Sequence, residues 1–379
     1  MAFVLTEEQT MLKDTAAQFF NEKMPVSNLR HLRDTEDETG FDRALWKEMA
    51  GLGFAGILIP EEYGGSDFGV MGLGLVLEQA GRTLAASPLF STALLGAGII
   101  RLGGSEEQKK TLLPAIAAGD MITALALEEG PHHAPAHIET RAEKKGDGWS
   151  LNGTKRFVLD GHSAGKLIVV ARVSGKADER EGLALFLVDP ETSGVSGERR
   201  LMVDNRNAAD ITLTGVQLSG DAIIGSPGGG ADILEPVLDQ GRVGMAAEML
   251  GGINEVFDRT IEYLKDRQQF GVPIGSFQAL KHRAAEMFCE VEICRSVVLD
   301  AMSAVDERRN DIPQMASLTK ARLGEASRLI TNEGVQMHGG IGMTDEVDMG
   351  LFMKRARVQA TILGDVAFHC DRYGALEGF

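Results

Sequence analysis

Cysteine is scarce in this sequence: Cys289, Cys294 and Cys370 are the three in 379 residues. An odd number cannot pair completely, and no Cys-x-x-Cys spacing occurs, so neither a dithiol redox centre nor a cysteine zinc site is indicated. Two of the three fall inside helical patterns, where a thiol serves as a small core residue, and such usage fits a reducing cytoplasm. Positive charge is also short, with 38 Lys and Arg against 55 Asp and Glu for a formal charge of -17. That excludes a basic footprint for nucleic acid, although a local group of Arg can still hold an anionic small ligand. No segment approaches the roughly 18 unbroken apolar residues that a membrane span needs. The most apolar stretch, Leu94 to Leu102, has Pro88, Ser91 and several Gly around it and reads as a buried helix. The first residues have neither a basic segment nor an apolar core, so no signal peptide is expected.

What is present is pattern. A chain this long exceeds one ordinary core, and two or three domains are expected. Residues 1–118 read as an all-α domain. Thr6-Glu7-Glu8-Gln9 is a capping start, Phe41 to Ala50 and Val70 to Arg82 follow helical spacing, and Leu89 to Leu102 continues it. Residues 119–227 change period. Leu167 to Ala171, Leu183 to Val188 and Ile211 to Thr214 are strand-like runs, and Asn152-Gly153 carries a hairpin signal. A middle β-barrel follows from that spacing. Residues 228–379 return to long amphipathic helices, including stripes over Ala316 to Met337 and Leu351 to Phe368, the pattern of a four-helix bundle. The fold class is therefore α+β multidomain: N-terminal all-α domain, middle β-barrel, C-terminal helical bundle.

Two loops carry chemistry. Arg267-Gln268-Gln269-Phe270-Gly271 follows a long helix, and the plain reading is a C-cap, with Gly271 ending the helix and Pro273 blocking its continuation. The functional reading lets Arg267 pair a phosphate while Phe270 offers a flat face to a ring. Gln336-Met337-His338-Gly339-Gly340-Ile341-Gly342 ends another helix, and adjacent glycines let backbone N–H groups approach a pyrophosphate. It is not Gly-x-Gly-x-x-Gly and follows no strand, which excludes a Rossmann site. His132, His133 and His137 lack a carboxylate at helical spacing and make a poor metal set. The adjacent Glu128-Glu129 reads as a hydrogen-bonded loop.

These motifs, in this domain order, resemble the acyl-CoA dehydrogenase family. The likeness covers nearly the whole chain. It rests on Ile59-Pro60-Glu61-Glu62-Tyr63-Gly64-Gly65, Trp149-Ser150-Leu151-Asn152-Gly153-Thr154-Lys155, Arg267-x-x-Phe270-Gly271-x-Pro273-Ile274-x-x-Phe277-Gln278 and Gln336-x-x-Gly339-Gly340-x-Gly342. The resemblance implies FAD as cofactor, held between barrel and bundle, with Leu127, Phe157 and Leu159 on the barrel side. It implies that a neighbouring subunit supplies Arg267, Phe270, Gln278, Gln336, Gly339 and Gly340, so that at least a dimer is needed. Asp239 and Arg242 align with positions on the CoA side of the thioester. The implied reaction is α,β-desaturation of an acyl-CoA, with an electron-transfer flavoprotein as acceptor.

The chain departs from the family at the base. Leu363 stands where the common Glu belongs, and Gly241 where the alternative one lies. The nearest carboxylates are Asp365 and Asp239, which become the candidate catalytic residues. The flavin-contacting Thr-Glu-Pro and Trp-Ile-Thr passages are replaced by Leu127-Glu128-Glu129-Gly130 and Phe157-Val158-Leu159. Three functions stay open on this basis: a self-sufficient dehydrogenase, a base-deficient subunit of a heteromeric one, and an enzyme of the same fold with elimination-type chemistry.

Overall fold

The computed structural model describes residues 4–379. Helices come first: α1 (Glu7–Lys23), α2 (Val26–Asp34), α3 (Arg43–Gly51), α4 (Gly69–Arg82), α5 (Ala97–Gly103) and α6 (Glu106–Ala117). Local chemistry sets their starts. Thr6 and Ser105 open α1 and α6 with reciprocal capping boxes to Gln9 and Gln108. The apolar stretch from Leu89 is not uniformly α-helical, since Leu89–Gly96 forms a fully buried π-helical segment before α5.

The strands are β1 (Thr123–Ala126), β2 (Arg141–Lys145), β3 (Gly148–Leu159), β4 (Lys166–Arg172), β5 (Leu183–Val188), β6 (Val195–Leu201), β7 (Asn207–Leu218) and β8 (Ile223–Ile224). Their pairing path runs β6-β7-β3-β2-β4-β5-β8, and β1 adds in parallel to β4. This sheet occupies the segment where the sequence places its β-barrel. The near-continuous apolar runs of β4 and β5 are buried along almost their whole length, whereas β6 is polar and largely exposed. The Asn-Gly expectation fails. The tight β2–β3 turn is at Gly146-Asp147, and Asn152-Gly153 sits inside β3 at a register shift opposite β7. There the Asn152 side chain accepts from the Gly215 N–H at 2.7 Å, so the dipeptide stabilises a bulge instead of a reversal.

The last part holds α7 (Gly230–Asp266), the short strands β9 (Gln268–Gln269) and β10 (Val272–Pro273), then α8 (Gln278–Asp306), α9 (Ile312–His338), α10 (Met349–Thr361) and α11 (Val366–Leu376). The stripe from Leu351 to Phe368, expected as one helix, is two. Ile362 leaves the helical region at ψ 129, and Leu363 and Gly364 follow with φ of 57 and 109.

Contacts gather the chain into two compact units. One contains the described residues up to His31, residues 70–85 and everything from Arg242. Within it α4 and α7 approach backbone to backbone. A Cβ on Gly81 would collide with the Glu248 carbonyl, and one on Gly251 with the Glu78 carbonyl. The Asp306 carboxylate caps α4 from another helix, accepting from the Val70 and Met71 N–H groups at 2.7 and 2.9 Å. The other unit, residues 32–69 and 86–241, contains the sheet.

Candidate cofactor arm and active-site residues

The segment Arg267 to Gln278 is an arm, not a helix cap. The Arg267 N–H closes the last helical bond to Tyr263 at 2.9 Å, and β9 then pairs antiparallel with β10. Phe270 and Gly271 form the turn between them with φ of 55 and 77, the positive values a two-residue hairpin requires. Gly adopts such angles freely, but an aromatic residue held there stores strain on the order of 1 kcal/mol. Phe270 nevertheless stands 92% exposed, edge-on to Phe277 at 6.1 Å between centroids. The Arg267 side chain is exposed and makes no hydrogen bond or ion pair with any described residue. Gln278, also exposed, opens α8.

The second loop lies beside the arm's root. The Tyr263 ring stacks on His338 at 4.3 Å, and its hydroxyl donates to the His338 carbonyl at 3.2 Å. That contact ties the end of α9 to the last turn of α7. Gln336 is exposed there, Gly339 has φ 66, and a Cβ at either Gly339 or Gly340 would meet nothing within 4 Å. The structure thus brings two of the sequence-derived segments together, leaving an uncommitted guanidinium, an open aromatic face and bare backbone. This donor set suits a ligand with a pyrophosphate and a flat ring.

The break between α10 and α11 is clamped. The Leu363 carbonyl accepts from Arg242 Nε at 3.2 Å and from His369 Nε2 at 3.0 Å. Lys320 Nζ donates to the carbonyls of Gln359, Ala360 and Gly364 at 2.8, 3.2 and 3.1 Å, satisfying the open end of α10. Asp365 spends one carboxylate oxygen on the Phe368 N–H at 2.9 Å as the N-cap of α11. Asp239 and Arg242 sit three residues apart on α7, and both are buried. Sequence reasoning missed Lys320 and His369. The signal for Lys320 was present: it falls four residues after Ala316, on the same apolar stripe of α9.

Burial pushes the Lys320 ammonium down to about 7, with Arg242 adding to the effect and Asp365 opposing it. The folded protein then holds this proton less tightly than the unfolded chain. As pH rises from 7 toward the ordinary 10.5, the wild type is expected to gain stability relative to Lys320→Met. Denaturant titrations across that range measure the gap, and a constant gap would sink the expectation.

On the sheet, Leu127 follows β1 and is buried, and its carbonyl accepts from Lys155 Nζ at 3.1 Å. Lys155 also pairs Glu129 at 2.6 Å, with side chains 0% and 9% exposed. Burial holds Lys155 down at about 8. Burial works to raise Glu129, but Lys155 together with Thr140 and the Glu139 N–H outweighs it and keeps the carboxyl below its usual range. Phe157 has φ 50 and is 51% exposed, an available ring face. Its N–H donates to Asp210 at 3.3 Å, and the Arg156 N–H donates to the Glu128 carbonyl at 2.7 Å. Leu159 pairs with Ala208 in the sheet. The backbone donors flanking this ring are thus already engaged, and Glu128 itself lies 2.5 Å from His133 Nδ1. The arm offers free donors for a flavin nucleotide, whereas this sheet face offers a ring without free N–H groups at Arg156 or Phe157.

Family models of the acyl-CoA dehydrogenase N-terminal, middle and C-terminal domains match residues 6–120, 127–216 and 228–375. "Probable acyl-CoA dehydrogenase YngJ" of Bacillus subtilis is 30% identical over 94% of this chain and 94% of its own length. The chain belongs to the acyl-CoA dehydrogenase family. Its fold agrees: butyryl-CoA dehydrogenase from Megasphaera elsdenii superposes with a TM-score of 0.91 at 27% identity, covering 100% of both chains. The steroid ACAD Tcur3481-Tcur3483, solved as a variant, superposes at 0.88 with 32% identity over 98% of each chain. These relatives are oxidoreductases acting on CH–CH bonds, in a family of flavoproteins. Among the described residues of this member, no helix is long and apolar enough to cross a membrane.

Proposed function

We propose that the chain works in an FAD-dependent acyl-CoA dehydrogenase that desaturates the α,β bond of an acyl-CoA thioester. Within it, this chain is the subunit that lends its arm to a partner chain's flavin and carries no base of its own. One contrast carries the reading: Arg267 is unpaired beside a strained, 92% exposed Phe270, while Leu363 fills the base position inside a clamped turn. FAD, when bound, supplies the hydride acceptor. Arg267 neutralises its pyrophosphate, Phe270 and Gln278 order the nucleotide, and Gln336, Gly339 and Gly340 give close backbone approach. Asp239 and Arg242 serve the CoA side of the thioester. We do not assign the base to Asp365, because one oxygen of its carboxylate caps α11, nor to Asp239, which this reading places on the CoA side of the thioester, whereas the chemistry needs a carboxylate within hydrogen-bond reach of the α-carbon. Assembly with a second dehydrogenase chain supplies that carboxylate. The paired name of the Tcur3481-Tcur3483 neighbour is in keeping with such an arrangement. An electron-transfer flavoprotein takes the electrons onward.

The chain purified alone is expected to show no flavin absorbance, and to form a flavin-bearing complex when co-expressed with a base-containing family member. A lone homo-oligomer with stoichiometric flavin, bleached anaerobically by acyl-CoA, would overturn the reading.

A further inference from the structure

His369 is completely buried in α11, and nothing in the reaction calls for it. Its surroundings fix its tautomer. Nε2 faces the Leu363 carbonyl at 3.0 Å and therefore carries the proton. Nδ1 lies 3.4 Å from Ser317 Oγ, and Ser317 accepts from Arg372 Nη1 at 2.8 Å, which leaves the Ser317 hydroxyl proton free to be given to Nδ1. The donors thus run in one direction, from Arg372 through Ser317 and His369 to the Leu363 carbonyl. The second lone pair of that carbonyl takes Arg242 Nε, and the Arg242 guanidinium also packs 5.7 Å from the Phe368 ring centre.

The turn needs this support. Leu363 has φ 57, a conformation that a side-chain-bearing residue keeps only where its surroundings over-determine it. Gly364 has φ 109, and a Cβ there would strike Phe368 and His369. We propose that His369 is a positioning residue: its bond to the Leu363 carbonyl holds the left-handed turn, and through that shared acceptor it fixes Arg242 for the thioester ligand. The ligand part rests on the acyl-CoA reading above, while the turn part stands on geometry alone.

The test compares His369→Leu with His369→Gln, whose amide nitrogen mimics Nε2–H. In His369→Leu, hydrogen exchange at the Gly364 amide, bonded to Thr361 at 3.2 Å, should quicken about tenfold, as loss of one buried hydrogen bond predicts. His369→Gln should restore the slow rate, with thermal melting serving to separate local opening from global loss. Acyl-CoA affinity of the co-expressed complex should fall in step and recover in step. Unchanged exchange in His369→Leu, or a Gln variant no better than Leu, would overturn the positioning role. Should His369→Leu fail to fold, Ser317→Ala removes the orienting hydroxyl and should quicken the same amide, and an unmoved amide there overturns the proposal equally. Exchange that follows prediction while the wild-type complex shows no acyl-CoA affinity would sink the ligand reading and leave the turn assignment intact.

Discussion

Arg267→Ala should strip flavin from the complex that this chain forms with a base-containing partner, lowering flavin affinity by about a hundredfold. The estimate follows from losing charge-assisted hydrogen bonds to a phosphate, each worth about 1.5–3 kcal/mol, where every 1.4 kcal/mol is tenfold. The Arg267 side chain forms no hydrogen bond or ion pair with any described residue, and its backbone bonds to Tyr263 and Ile274 survive truncation to Ala, so the substitution costs the fold little and the loss falls on the ligand. Arg267→Lys should recover only part, because a point charge lacks the fork that grips two oxygens. Phe270 separates strain from function. Phe270→Asn keeps a residue that tolerates φ 55, so the hairpin should be stabilised by about 1 kcal/mol while flavin affinity drops. Lys265→Ala, which removes only an exposed pair with Glu262, should leave flavin untouched. Flavin titrations of the four variants decide the matter. Equal flavin retention in Arg267→Ala and wild type would remove the arm from the cofactor site.

Lys155→Met should destabilise the sheet unit by about 3 kcal/mol, toward the lower end for breaking a buried ion pair. The lower end applies because Glu129 keeps backbone donors from Glu139 and Thr140 at 2.6 and 3.0 Å. Without Lys155 the nearly enclosed carboxylate loses the cation that holds its proton affinity down, so its charged form becomes the costly one. In the wild type, Glu129 contributes stability that is present above the ordinary carboxylate range and lost as pH falls. The gap between wild type and variant should therefore narrow as pH drops from 8 toward the ordinary Glu value of 4.5. Denaturant midpoints at several pH values measure it. A gap that widened on acidification would show that Lys155 acts on something other than Glu129. The same ammonium holds the Leu127 carbonyl, so the strand end leading into the Glu128 loop should loosen in the variant.

How much of this was legible beforehand depends on distance along the chain. The capping boxes at Thr6 and Ser105 close within three residues, and the helical stripes repeat within four, so both could be read directly. The Leu351 to Phe368 stripe misled because periodicity registers apolar spacing and is blind to a carbonyl clamp from elsewhere. The ligands of that clamp are 39 residues away at Lys320 and 121 away at Arg242. Asn152-Gly153 misled for a related reason: turn propensity was outweighed by pairing with β7, whose Gly215 lies 63 residues on.

By itself the sequence determined the order of helical, sheet and helical segments, the family, the motif from Arg267 to Gln278, and the absence of Glu at 363 and 241. Those are statements about residue identity and short-range spacing, which one strand of text carries in full. Only the tertiary structure decided that Arg267 is unpaired, that Asp365 is a cap, and that Leu363 is gripped by Arg242 and His369. A hydrogen bond needs its partners within about 3 Å, and the chain satisfies that condition between residues whose separation in sequence carries no trace of it.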